Sequence, residues 1–442
     1  MDDRNDGDVL VNKQYGKWNA IFVQSNTNEY VFYQNHSKLF PEQLEDWIES
    51  IKRAHLSKEI SPIRLDIDIT NSCSNNCCMC FAKELRTNIP SMIKLEQLKN
   101  IFFNFKSLGG KSVRLTGGGD PLNHPNIIEI ITYLGELGLK ITIETNGDLL
   151  SPAIISAIAK YVHHLRVSFD AGDDESRKKV HRPYLKQFTY DNLISKIITT
   201  HQTAIKFKRE HELFIGATFV ILPENFLTVG KFITDMYEIG INWVAIRKNI
   251  YRKVYEDNPN IIPFVETTLK KLRGKLTMVD KDFTIEEQYG VSFDPKSDFN
   301  TCWVSYVRLI VLANASLQLC CLTRNGMVSE ANLGILQHMD KPLDALLDNN
   351  EKNIDTFRQV VPKQCQLCID RDNNISFSNI AALLDKDVDC KFSKAKVFLK
   401  GSNEKNYFND CQIIQLPLDE QQYDVFRKGL IVTLEGDQSI SR

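Results

Sequence analysis

Between residues 63 and 248 the chain alternates two periodicities, and that alternation limits it to few folds. Strand-like runs fall at 63–69, 112–116, 140–145, 164–170, 213–222 and 242–248, with helix-like stretches such as 95–108, 125–137 and 152–161 between them. Repeated strand–helix–strand units imply a parallel sheet with right-handed crossovers. Six units fit, fewer than a closed eightfold barrel needs. The fold class expected is α/β: a partial (β/α)6 TIM-type barrel over residues 63–275, with its chemistry beyond the C-terminal strand ends.

The first of these strands, Ile63-Arg64-Leu65-Asp66-Ile67-Asp68-Ile69, runs through Thr70-Asn71-Ser72 into Cys73-Ser74-Asn75-Asn76-Cys77-Cys78-Met79-Cys80. Three thiols spaced C-x3-C-x2-C on so short a loop can hold three corners of a small metal site. Structural zinc is closed by four ligands, whereas three protein ligands leave a position open for chemistry. On a [4Fe–4S] cube, three cysteines leave one iron without a protein ligand. Cys73, Cys77 and Cys80 fit that spacing, and Cys78 falls outside it.

A length of 442 residues suits two or three domains. With 43% apolar and 25% charged residues the composition is that of an ordinary globular protein. Net charge is −2 and the Lys and Arg are scattered, so no basic face for nucleic acid is expected. No apolar run reaches the ~18 residues of a membrane span, and the acidic start is unlike a secretory signal. The chain is read as cytoplasmic, with neither nucleic acid nor membrane as partner. In a reducing compartment its 11 cysteines are read as ligands and thiols, not disulfides.

The second cysteine group is Cys302, Cys320, Cys321, Cys365, Cys368, Cys390 and Cys411. Cys302 precedes a hairpin expected over 306–322, Cys320 ends it, and Cys365-Gln366-Leu367-Cys368 returns as a knuckle. Four such thiols close a zinc site or saturate an iron–sulfur cluster. Neighbours on a strand point opposite ways, and Cys320 is preferred to Cys321 as the ligand. The expected division is an N-terminal extension (1–62, a hairpin and a helix), the barrel (63–275), a β-hairpin/helix iron–sulfur module (299–370) and a C-terminal tail (371–442) of no assigned role.

The three-cysteine loop after the first barrel strand resembles the radical S-adenosylmethionine (AdoMet) superfamily, with Met79 where that family usually has an aromatic residue. The likeness covers about residues 63–370. Gly117-Gly118-Gly119-Asp120 looks like the family's GGE motif, with Asp120 for Glu, whose backbone holds the AdoMet amino group. On its own it is a turn that a ligand can approach closely. Asn146 is either part of an Asn-Gly turn or, by the resemblance, an AdoMet contact. Ser168 and Asp170 share a strand face and either cap the strand or meet the ribose hydroxyls. Arg182 is a candidate for the AdoMet carboxylate or a surface arginine. Val220 is read as structural, and the direction of Arg247 is left open.

The layout of Cys302, Cys320, Cys365 and Cys368 resembles the twitch module, the short relative of SPASM that holds one auxiliary cluster. The implied cofactors are an AdoMet-binding [4Fe–4S] cluster, a second, auxiliary [4Fe–4S] cluster and AdoMet. The implied partner is a one-electron reductant such as flavodoxin or ferredoxin. A fully ligated second cluster suits electron acceptance, hence oxidation of a small-molecule alcohol such as an aminocyclitol or sugar. The alternatives are a maturase that epimerises or cross-links a ribosomally made peptide and, from another class, a zinc-stapled binding protein. No catalytic residue is assigned.

Overall fold

In the computed structural model the described residues are Asn19–Gln24, Glu29–Asn35, 44–57, 60–83, 86, 91–241, 243–249, 253–276, 283–288, 300–320, 332–337, 340–350, Ile431–Thr433 and single positions between 352 and 381. They fall into two compact units, one built from Met1–Ser61, Phe293–Val307 and Thr356–Arg442, the other from Pro62–Ser292 and Arg308–Asp355.

The second unit holds a ten-stranded sheet in the order β12-β11-β10-β3-β4-β5-β6-β7-β8-β9. Its strands are β3 (Arg64–Asp68), β4 (Ser112–Thr116), β5 (Lys140–Thr145), β6 (His164–Ser168), β7 (Phe214–Ile221), β8 (Trp243–Lys248), β9 (Thr284–Gln288), β10 (Arg308–Val311), β11 (Ser316–Gln318) and β12 (Asn332–Ile335). Eight of them, β10 and β3 to β9, run parallel, and β11 and β12 are antiparallel.

All six expected strands are present, and the sheet goes further than the sequence suggested. β9 was hidden because Thr-Ile-Glu-Glu-Gln carries little apolar alternation. The expected hairpin forms, with Ile310 opposite Gln318. Its first strand also pairs in parallel with β3, from Arg308 against Arg64 to Val311 against Ile67, so the hairpin extends the barrel sheet instead of opening a separate module. All four residues of β10 are buried, which an isolated two-stranded ribbon cannot achieve.

Helices pack the outer face. The turns before them carry their own caps: Ser151 accepts from Ile154 N ahead of Pro152–Tyr161, Thr189 from Asn192 N ahead of Tyr190–Lys206, and Asp173 forms a capping box with Ser176. Against them lie Leu65, Ile67, Val113, Leu115, Ile141, Ile143, Leu165 and Val167, each 1% exposed or less. This is where the core sits, as in parallel sheets covered by crossovers.

The alternate residues face the lumen, and there the sequence breaks the usual rule. Barrel interiors are filled mainly by branched apolar side chains. Here the inward rows read Arg64, Asp66 and Asp68 on β3, Arg114 and Thr116 on β4, Thr142 and Glu144 on β5, and His164, Arg166 and Ser168 on β6. Asp66 lies opposite Arg114 and Glu144 opposite Arg166. One part of the lumen is plugged by an aromatic group: the Trp243 ring lies 5.7 Å from that of His164 and 6.4 Å from that of Phe214. Gly216 makes room for it, since a Cβ there would stand 2.1 Å from the indole.

In the first unit β1 (Asn19–Gln24) and β2 (Glu29–Asn35) form an antiparallel hairpin, and β13 (Ile431–Thr433) pairs with β2. Trp47 of the helix Leu44–Ser57 stacks on Phe377 at 6.0 Å. The Arg358 guanidinium lies 3.2 Å from the centre of the Tyr306 ring and donates from Nε to Ser305 Oγ at 3.1 Å. The two terminal segments therefore belong to one unit, where the sequence suggested an extension and a separate tail.

Candidate AdoMet and cluster site

The cysteine loop is held on two sides. On one side residues 180–184 run alongside it. Cys78 N donates to Val180 O at 2.8 Å, Asn76 N to His181 O at 3.1 Å and Tyr184 N to Ser74 O at 3.1 Å, and Asn75 bridges Pro183. On the other side lies the glycine turn. Gly119 N donates to Thr70 O at 3.1 Å, Asp120 N to Ser72 O at 2.8 Å and Gly118 N to Asp68 Oδ2 at 3.1 Å. A Cβ on Gly119 would lie 2.0 Å from Ser72 O, so only glycine allows the two backbones to come this close.

All four cysteines of the loop are half-buried, but their electrostatic surroundings differ. Burial pushes the Cys73 thiol up to about 11, and burial with the charges of Cys73 and Cys80 pushes Cys77 well above the ordinary thiol range. Cys78 is raised by burial and by Glu224, and the nearby charges that act on it include no other cysteine. The charge of Cys80 acts on both Cys73 and Cys77, and that of Cys73 on Cys77. Among the described residues no three His, Cys, Asp or Glu side chains gather as they would around one metal ion. Three cysteines on one short loop are a donor set that fits three corners of a multi-iron cluster. Thiols with raised pKa values hold their protons until metal displaces them.

Around this set stands a layer of polar groups. Asn146 Nδ2 lies 3.7 Å from Cys73 Sγ and donates to Ser74 Oγ at 3.0 Å. Its backbone N donates to Asp120 Oδ2 at 2.7 Å, and Thr145 Oγ1 and Leu122 N donate to the same carboxylate. Burial lifts Asp120 to about 6 against the pull of these donors. Asp120 thereby ties the glycine turn to the Asn146-Gly147 turn. His181 Nδ1 lies 3.4 Å from Cys77 Sγ, while its Nε2 is 2.9 Å from Phe169 O. A carbonyl only accepts, so Nε2 donates to it. In His181-Arg182-Pro183 the sequence draws attention to the arginine; the burial of His181 beside the loop arises from pairing across about a hundred residues and leaves no local signal.

Ser168 ends β6 half-buried on the lumen side. Asp170 has φ +45°, and its Oδ1 accepts from Val220 N at 2.8 Å while Oδ2 lies 3.4 Å from His181 Nε2. Its carboxylate thus joins the ends of β6 and β7 to the segment beside the cysteine loop. Arg182, with φ +49°, is exposed and donates from Nε to Lys179 O at 3.3 Å. Cys302 and Cys320 are described and half-buried; Cys321, Cys365, Cys368, Cys390 and Cys411 lie outside the described residues.

Below the glycine turn the lumen charges join up. Asp66 accepts from Arg64 Nε at 2.6 Å and Arg114 Nη2 at 2.5 Å, with Arg308 Nε at 3.9 Å. Glu144 accepts from Arg114 Nη1 at 2.9 Å, Arg166 Nη2 at 2.5 Å and Thr116 Oγ1 at 3.2 Å. Burial alone would raise both acids; the arginines instead hold Asp66 at about 2 and Glu144 well below the usual carboxylate range.

Residues 67–215 match the sequence model of the Radical SAM superfamily. This segment is similar to a radical SAM domain. The match runs from the end of β3 through the cysteine loop, the glycine turn and β4 to β6. An AdoMet-dependent heme synthase of Methanosarcina barkeri is 30% identical over 110 residues, 25% of this chain and 31% of that protein. A GTP 3′,8-cyclase of Rhizobium leguminosarum is 33% identical over 124 residues, 27% of this chain and 35% of that protein. The chain thus covers about a third of the length of these curated relatives. Among solved structures, Streptococcus suis SuiB bound to its precursor peptide SuiA superposes with a TM-score of 0.50 at 15% identity, covering 75% of this chain and 74% of that one. That likeness is one of fold, and it extends beyond residues 67–215.

Proposed function

We propose that this chain cleaves AdoMet reductively and uses the resulting radical to take a hydrogen atom from an unactivated carbon of a small-molecule alcohol, such as an aminocyclitol or sugar, which ends oxidised. The observation that carries the reading is the C-x3-C-x2-C set of Cys73, Cys77 and Cys80, on a loop bonded to the glycine turn. These three would hold a [4Fe–4S] cluster with one iron left for AdoMet. When bound, cluster and AdoMet supply an electron and a carbon radical; the protein supplies position and dryness.

The chain's own groups divide that work. Gly117, Gly118 and Gly119 bring backbone within reach of the AdoMet amino group, and Asp120 keeps that turn in register with Asn146. Asn146 and His181 steady Cys73 and Cys77. Ser168 faces the lumen where a ribose would lie, with Asp170 fixing the strand end beside it. Arg182 remains the candidate for the AdoMet carboxylate. Cys302, Cys320, Cys365 and Cys368 would hold a second [4Fe–4S] cluster that takes the electron from the substrate radical. A one-electron carrier such as flavodoxin or ferredoxin would reduce the first cluster.

The test is anaerobic purification followed by iron analysis and incubation with AdoMet and dithionite. The expected protein is brown, with about eight irons per chain, and forms 5′-deoxyadenosine. A colourless, zinc-loaded protein that leaves AdoMet intact would sink the proposal in favour of a zinc-stapled binding protein.

A further inference from the structure

The turn Thr145-Asn146-Gly147-Asp148 is specified more closely than a change of direction requires. Asn146 Oδ1 accepts from Asp148 N at 2.9 Å, the bond by which an asparagine closes a turn on itself. Thr145 Oγ1 accepts from Gly147 N at 2.9 Å within the same turn. A backbone N–H only donates, so the amide atom that faces Asp148 is the oxygen, and the amide nitrogen points the other way. There Nδ2 meets two acceptors, Ser74 Oγ at 3.0 Å and Cys73 Sγ at 3.7 Å. Both amide hydrogens are engaged, and one of them is aimed at a cysteine sulfur.

The amide is held there from both ends. Asn146 is buried, and its backbone N is tied to Asp120 Oδ2 at 2.7 Å. Asp120 N is in turn tied to Ser72 O, next to Cys73, at 2.8 Å. Ser72, Asp120, Asn146 and Cys73 thus close a ring around the start of the cysteine loop. The backbone N–H of Asn75 also bonds the Cys73 sulfur. Hydrogen bonds to ligand sulfurs are one of the levers that set the reduction potential of an iron–sulfur cluster, and groups behind the ligands tune a metal site. An added electron makes the sulfurs of a cluster more negative. An N–H dipole aimed at one of them therefore stabilises the reduced form more than the oxidised form, and the more so where burial weakens screening.

We infer that Asn146 is a positioning residue for electron entry: its amide N–H, held against the Cys73 sulfur, makes the first cluster easier to reduce. This rests on the reading of Cys73, Cys77 and Cys80 as cluster ligands. The Asn-Gly pair then does two things with one side chain. Oδ1 shapes the turn, and Nδ2 acts on the cluster through Cys73. Because Asp120 fixes Asn146 and the glycine turn together, the donor keeps its place relative to the segment proposed for the AdoMet amino group.

The test uses the full-length, anaerobically reconstituted protein, titrated with dithionite in the presence of redox mediators and followed by electron paramagnetic resonance. The signal of the first cluster is the one missing from Cys77→Ala protein. Asn146→Ala should carry the parent's iron and need a more negative potential, by about 59 mV, the one-electron equivalent of a tenfold change. Asn146→Asp keeps an oxygen for Asp148 N but sets an oxygen where the donor was, and should shift at least as far. Ser74→Ala removes the neighbouring acceptor and leaves the bond to Cys73, so it should stay at the parental potential. If the alanine protein does not load iron, the aspartate protein decides alone; if neither loads, Asn146 is a structural residue and the result overturns the inference. The parental potential in an iron-loaded Asn146 variant, or an equal shift in Ser74→Ala, overturns it as well. Asn146 variants that keep the parental potential and still form 5′-deoxyadenosine remove the tuning role and leave the radical reading standing. A parent that loads iron and shows the shift in Asn146→Ala, yet never cleaves AdoMet, does the reverse.

Discussion

Replacing Asp66 with asparagine removes the charge at the centre of the lumen and leaves the guanidiniums of Arg64 and Arg114 buried against a neutral amide. In the folded chain the guanidiniums of Arg114 and Arg64 hold Asp66 at about 2, below the usual carboxylate range. A carboxylate held down in the folded chain contributes stability at neutral pH. Breaking one partner of a buried pair costs about 3–5 kcal/mol. Thermal unfolding of the apo protein at pH 7, followed by circular dichroism, should therefore show a midpoint lower by about 10 °C. The folded pKa is depressed, so the contribution is present above ~3.8 and lost as pH falls through about 2; the gap between variant and parent should be full at pH 7 and shrink below pH 4. Adding Arg114→Gln to Asp66→Asn should recover part of the loss, because the two sites share one network. A drop of less than about 1 kcal/mol, or a gap indifferent to acid, would show that the lumen charges do not hold the barrel together.

Other outcomes concern the cluster loop. Alanine at Cys73, Cys77 or Cys80 should abolish 5′-deoxyadenosine formation and the iron of the first cluster, whereas Cys78→Ala should retain both; metal analysis and product chromatography distinguish them. Gly119→Ala should push the glycine turn off Ser72 and lower AdoMet affinity by tenfold or more in equilibrium binding. The double change Cys365→Ala with Cys368→Ala should leave about half the iron and slow 5′-deoxyadenosine formation, while oxidised product disappears; product at the parental rate would argue against an electron-accepting cluster.

The strand–helix alternation was legible because each strand covers itself with apolar residues at every second place, and Leu65, Ile67, Ile141 and Ile143 became core as that pattern requires. The other half of the same pattern was equally visible and harder to interpret. Arg114, Glu144 and Arg166 alternate with apolar neighbours as a solvent-facing row would. Only the curl of the sheet turns that row inward, and curl is set by pairings far apart in sequence. The same limit hid the backing of the cysteine loop by residues 180–184 and the dual role of β10, since a four-residue apolar run does not name its partner. The spacing of Cys73, Cys77 and Cys80 needed no tertiary knowledge, because a single tight loop carries all three. Asp170 shows where likeness to a family stops short: a strand-end carboxylate is easy to find, but that it would bond Val220 N depends on the next strand.

The pairing of β10 with β3 also sets an order of assembly. The strand that leads into the cysteine loop has one edge closed by β4 and the other by residues 308–311, which leave the ribosome long after it. Until then β3 offers an open edge, the kind that recruits wrong partners, and parallel pairing over so great a separation is slow. A chain ending at Leu276 would keep the three-cysteine loop, the glycine turn and Arg166, yet lack the strand that closes β3. It should collect in the insoluble fraction on expression, and a nascent chain would pass through the same exposed stage each time it is made.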